Sequence, residues 1–142
     1  MSLSEQADPW PSVKGDVIQL TVPALTAYLG VVRTATAGLA ARLGFTLDEI
    51  EDLRIAVDEA CAMLLSLPGP RPLGEATLTC RFRVLDKALA VTVSAPVGNR
   101  AVLPPEHSFA WQVLTAHAAD VKGNLDGGRA IVELVKRRRS HR

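Results

Sequence analysis

The spacing of apolar residues changes period along the chain, and each change predicts an element boundary. Over residues 17–22, Ile18, Leu20 and Val22 alternate with Gln19 and Thr21, which predicts a strand with one buried face. Pro23 follows, a residue favoured at the first position of a helix. Over 24–43 the period becomes helical, with Leu25, Leu29, Val32, Thr36, Leu39 and Leu43 on one side and Gly44 as the C-terminal stop. The strongest helical pattern covers 50–65, where Ile50, Leu53, Val57, Cys61 and Leu64 form one stripe. Thr46 and Glu49 make a capping-box pattern ahead of it, and Asp48, Glu49, Glu51 and Asp52 load its first turns with the charge a helix dipole favours.

Residues 66–74 hold three prolines and two glycines and read as a loop. Residues 76–84 and 88–95 alternate with period two about an Asp86-Lys87 turn, predicting a hairpin with one buried face. Ser108 is placed to cap a short helix over 109–119. Two short strands, 121–125 and 129–135, flank the turn Asp126-Gly127-Gly128. The order β-α-α-β-β-α-β-β predicts an α+β fold: a two-layer sandwich of a mostly antiparallel sheet with helices on one face.

The central helix carries a second pattern. At about 100° per residue Glu59 points away from the apolar stripe, yet Ile55, Ala56, Ala62 and Met63 flank it. A helix apolar on two sides is covered on two sides. A sheet is expected under one face and a lid segment, a ligand or a partner over the other.

Composition narrows the classes. The 142 residues, 48% hydrophobic and 22% charged, predict one folded domain over 15–136, between a flexible lead-in (1–14, with Trp10 its one apolar anchor) and a basic tail (137–142). The formal net charge of +1 gives no general attraction to nucleic acid or membrane. The tail lacks the aromatic interleaving of a nucleic-acid site. It reads as a solvated end that could steer an acidic partner. There is no signal-peptide pattern and no apolar stretch long enough to span a bilayer, which predicts a cytoplasmic protein. Two cysteines and three scattered histidines argue against a metal site. Cys61 reads as a buried small hydrophobe. A Cys61–Cys80 redox pair would require the two side chains to be close.

The stretch Asp52-Leu53-Arg54-Ile55-Ala56-Val57-Asp58-Glu59-Ala60-Cys61 resembles the first nucleotide box of the anti-sigma factor serine kinases of the RsbW and SpoIIAB type. These have the histidine-kinase-like ATPase fold. The predicted elements follow the family's order over most of the chain. The segment 108–116 is similar to one in the short actinobacterial members. In the family that box reads Glu-x-x-x-Asn: the Glu activates a serine or water, and the Asn oxygen holds Mg²⁺ one turn on. Here the pair is Glu59 and Met63, and a thioether does not serve a hard cation. The second box, Asp-x-Gly-x-Gly, binds adenine. Aligned on Gly98 it reads Ser94-Ala95-Pro96-Val97-Gly98. The third, a glycine-rich phosphate cradle, falls on 104–111, which contains two prolines, Phe109 and Trp111 and no glycine.

The resemblance therefore implies an anti-sigma factor acting in transcriptional control of a stress response. It would sequester an alternative sigma factor, dimerise, be released by an anti-anti-sigma protein of the STAS class, and work without phosphorylation or a bound cofactor. Glu59 would be a relic base, and Glu59, Met63, Ser94, Pro96 and Gly98 a degenerate nucleotide site. Arg33 stands at the family's spacing for the sigma contact, and Trp111 is a second partner-binding candidate. Two alternatives stay open. One is an active serine/threonine kinase with a diverged site for ATP and Mg²⁺. The other is an interaction module with no sigma partner.

Overall fold

The computed structural model describes residues 15–69 and 75–139; the expectations for Trp10, the lead-in, the middle of the proline-rich loop and the end of the basic tail lie outside them. Five strands form one sheet in the order β1-β2-β3-β5-β4. They are β1 (Val17–Pro23), β2 (Thr77–Leu85), β3 (Ala88–Pro96), β4 (Ala119–Asp126) and β5 (Arg129–Arg137). Every neighbouring pair is antiparallel. Three helices complete the fold: α1 (Leu29–Arg42), α2 (Leu47–Leu65) and α3 (Phe109–His117).

The predicted first helix starts late. Pro23 ends β1 instead of opening a helix, and Ala24 N–H extends the sheet by bonding to Ala76 O at 3.0 Å. A short 3₁₀ turn over Thr26–Tyr28 then leads into α1. Proline is tolerated there because β1 is an edge strand, where one side of the backbone has no ladder partner. At the far end Gly44 adopts φ +85°, the left-handed stop that glycine permits.

Sheet register sorts the side chains by face. Ile18, Phe82, Val91 and Leu134 stand in one row, and Leu20, Cys80, Val93 and Val132 in the next. Apart from Ile18, which stays exposed on the edge strand, this face packs in one core with Leu53, Val57, Cys61 and Leu64 of α2. Leu53 alone, fully buried, contributes about 1.5–3 kcal/mol as an upper estimate. On the opposite face Gln19, Arg81, Thr92, Glu133 and Lys122 share a row. Ala88, Ala90 and Val135 form a separate small cluster.

Helix α2 is the centre of the helical layer, touching the sheet, α1 and α3. Its capping box is complete: Glu49 N–H donates to Thr46 Oγ1 at 3.1 Å, and Thr46 N–H donates to Glu49 Oε1 at 2.8 Å. On the second side α3 packs against α2 and meets it at Asp52, but the covering is partial: Ala56 and Met63 are buried, Ile55 and Glu59 half-buried and Ala62 exposed. Ser108 occupies the N-cap of α3, but its hydroxyl makes no capping bond and is buried without a partner. The helix is tied at its other end. Asp52 of α2 pairs with His117 Nδ1 at 2.9 Å and with Lys136 Nζ of β5 at 3.0 Å. Burial pushes the Asp52 carboxyl up, but the bonds from His117 and Lys136 outweigh it and hold it below its ordinary value. A depressed carboxyl stabilises the fold above its unfolded pKa and loses that contribution as pH falls through the folded one.

The basic end is more engaged than expected. β5 runs through Arg137, Arg138 N–H donates to Lys87 O at 2.7 Å, and Arg139 N–H donates to Glu49 Oε2 at 2.7 Å. Glu49 therefore serves both the start of α2 and the chain leaving β5.

Candidate functional site

Helical spacing places Asp52, Ala56, Glu59 and Met63 in one line along α2. This is the side on which α3 lies, with Leu114 fully buried against the core. Met63 is only 3% exposed, so its thioether is a packing group. Glu59 is half-buried and, among the described residues, has no hydrogen-bond or ion-pair partner. Burial and the neighbouring Asp58 charge push its carboxyl above the ordinary range. The folded state thus disfavours ionised Glu59. Glu59→Gln is expected to stabilise the protein at pH 7 by less than about 1 kcal/mol, given solvent screening. The gain should fade as pH falls through the raised pKa and vanish below the unfolded one. Thermal melts of both proteins across pH 4–8 check this; a gain that is constant with pH would refute the assignment.

The two boxes do not converge as the resemblance implied. Val93 and Ala95 face the helices, which turns Ser94 to the opposite face of the sheet. There Ser94 Oγ accepts from Arg129 Nη2 at 2.9 Å, one diagonal step across the β3–β5 pair. Ser94 is therefore not brought to Glu59 and Met63. Whichever of the two adjacent positions is matched to the adenine carboxylate, only Ala95 faces α2, and it carries no carboxylate. Pro96 ends β3 opposite Arg129. Gly98 is on the helical side, but its N–H donates to Pro68 O at 2.8 Å, and a Cβ there would lie 3.0 Å from Gly69 O. Its missing side chain lets the loop after α2 close over it.

Arg33 projects from α1 to α2. Its Nη2 lies 2.9 Å and its Nε 3.2 Å from Asp58 Oδ1. The pair is well exposed, at 39% and 43% of the side chains. Beside it runs an open groove of about 610 Å³, whose walls include Arg33, Ile50, Arg54 and Leu47, the last 84% exposed. Trp111 lies elsewhere, on α3, half-buried. Its Nε1 donates to Pro104 O at 2.7 Å, and its ring covers Gly123 of β4 so closely that a Cβ there would collide with it. Arg33 and Trp111 thus belong to different surfaces.

No protein-family model matches the chain. The serine-protein kinase RsbW of Bacillus subtilis is 54% identical over 46 residues, 32% of this chain and 29% of that protein. RsbW of Bacillus velezensis is 37% identical over 83 residues, 58% of this chain and 51% of that protein. Among solved structures, the RsbU and RsbW domains of a Mycobacterium tuberculosis protein match with a TM-score of 0.68 at 13% identity, covering 87% of this chain and 32% of that one. The chain is RsbW-like in sequence and in fold. It spans about half or less of the length of the curated relatives it matches.

Met63, the position to which the resemblance assigns the magnesium ligand, is buried in the core and has no oxygen to offer. The second box has no helix-facing carboxylate, and the Gly98 N–H is already bonded. These residues do not fit a Mg²⁺–nucleotide complex bound in the family's manner. Among the described residues no group of three or more His, Cys, Asp or Glu side chains is placed to hold a metal, and no helix is long and apolar enough to cross a membrane. Cys61 and Cys80 are close, as a redox pair requires. Both are fully buried, and the neighbouring Cys80 thiol together with burial pushes the Cys61 thiol far above its usual range, away from the reactive thiolate. Three participants were not singled out from the sequence: Asp58, Arg129 and the Pro68–Gly69 backbone. Asp58, one turn from Arg54 in an acidic helix, gave no signal of its own; its role depends on the α1–α2 crossing.

Proposed function

We propose that this chain is an anti-sigma factor that holds an alternative RNA polymerase sigma factor by stoichiometric contact, without transferring phosphate. The observation that carries this reading is Met63, a buried thioether where the kinases of the family need an oxygen ligand. The Arg33–Asp58 pair and the neighbouring groove with exposed Leu47 are the proposed sigma contact. Homodimerisation and release by a STAS-class anti-anti-sigma protein belong to the same proposal. The experiment is co-purification of the full chain with each sigma factor of its host, beside calorimetry with MgATP. A one-to-one or two-to-one sigma complex is expected, together with no MgATP binding tighter than about 1 mM.

A second reading rests on Glu59, whose unpartnered, raised carboxyl has the character of a general base. Under it the chain is a serine/threonine kinase with a diverged nucleotide site. Micromolar MgATP binding that is lost in Glu59→Ala, with phosphate appearing on a STAS protein, would establish that reading and overturn the first.

A further inference from the structure

Helix α3 is held differently from its neighbours. Of its nine residues only Leu114 is fully buried, whereas α2 buries eight. Its N-cap hydroxyl is unused, and no acidic residue supports its first turn. Phe109, at its start, is 75% exposed. A helix of nine residues is marginal by itself, so its position depends on its attachments. At the N-terminal end the attachment is Trp111, resting on Gly123 and bonded to Pro104 O. At the C-terminal end it is electrostatic. Asp52 of α2 receives both His117 and Lys136, and Lys136 Nζ also reaches the His117 carbonyl at 3.4 Å, where the negative end of the helix dipole lies. Lys136 is the most enclosed of the three, its side chain 13% exposed. Three elements therefore meet through one carboxylate.

The chain just beyond this cluster is built as a joint. Ala118 is extended, Asp120 has φ +51°, and the β4–β5 register shifts between Ala119 and Lys122. A non-glycine residue in the left-handed region is uncommon and marks a local constraint. Beyond the bulge the β4–β5 ladder resumes from Lys122 to Asp126, and Trp111 of α3 rests on it at Gly123.

From this geometry we infer that the Asp52–His117–Lys136 cluster is a latch that fixes α3 over the Asp52–Met63 line of α2, and that α3 detaches as a unit, about the joint at 118–120, when the latch is broken. Detachment uncovers Glu59 and Met63 while the sheet and the α1–α2 pair stay folded. The inference requires neither the sigma reading nor the kinase reading. Its consequence for either is that access to the Glu59 side of α2 is set by a charge cluster at the other end of α3.

The test uses the full chain with Trp10→Phe, which leaves Trp111 as its one indole. Two latch variants are made from different elements: Asp52→Asn on α2 and Lys136→Met on β5. Both are expected to speed amide hydrogen exchange over 109–117 by about tenfold or more. Both should also shift Trp111 emission to the red, with β2, β3 and β5 exchanging as in the parent. His117→Gln combined with Asp52→Asn should add little to Asp52→Asn alone. Equal acceleration throughout the protein would reduce the cluster to general stability and overturn the inference. So would unchanged exchange over 109–117, or variants that each disturb only their own surroundings.

Discussion

Glu49→Ala is expected to cost about 2 kcal/mol of folding stability, combining a lost helix cap with two part-buried backbone donors that lose their acceptor. Glu49 is 1% exposed, and its two oxygens serve separate parts of the chain: Oε1 accepts from Thr46 N–H and Oε2 from Arg139 N–H. Alanine removes both acceptors at once. The Glu49 N–H bond to Thr46 Oγ1 is a backbone donation and survives, so α2 keeps half of its cap. Glu49→Gln keeps Oε1 as an acceptor and should lose much less. Urea denaturation of the three proteins provides the comparison, with ΔG taken at constant m-value. A loss below about 1 kcal/mol for alanine would mean that water replaces both bonds.

Charge reversal at Arg33 is the largest expected effect on binding. Arg33→Glu should weaken sigma binding by about 2 kcal/mol or more, roughly thirtyfold, if the residue is an interface hot spot. Magnitude separates this from unfolding. The Arg33–Asp58 pair is exposed, and exposed pairs contribute at most about 1 kcal/mol to stability. The reversed side chain faces Asp58, so a small fall in melting temperature is expected beside a large rise in Kd. Asp58→Asn, which frees the guanidinium, distinguishes positioning from charge. If Asp58 orients Arg33, binding weakens; if it competes with the partner's carboxylate, binding tightens. A Kd for Arg33→Glu within twofold of the parent would remove α1 from the interface.

What was legible in the sequence followed from short-range rules. The capping box of Thr46 and Glu49, the stop at Gly44 and both hairpins depend on residues a few positions apart, and each formed where its pattern lay. The first helix was misplaced at its start because Pro23 suits a helix N-terminus and an edge strand equally well, and only the bond from Ala24 to Ala76 decides between them. The site was less legible for a related reason. Glu59 and Met63 share one helix, so their relation is fixed by spacing. Ser94 is joined to them only through strand register, where a single step reverses the face. The partners of Ser94, Gly98, Arg33 and the second oxygen of Glu49 all lie 25 or more residues away, and no periodicity carries that information.

The position of β5 between β3 and β4 has a consequence for how the protein is made. A ribosome releases the β2–β3 hairpin and both long helices well before β5, yet the hydrogen-bonding edge of β3 is filled by Arg129–Arg137. The Glu49 carboxylate likewise waits for Arg139. Until then the nascent chain presents an open, Val- and Ala-rich strand edge, the kind of surface that pairs with other chains. Completion of the sheet is therefore a late, non-local event, and nascent-chain crowding or a slow stretch before residue 129 should affect yield of this protein more than its final stability.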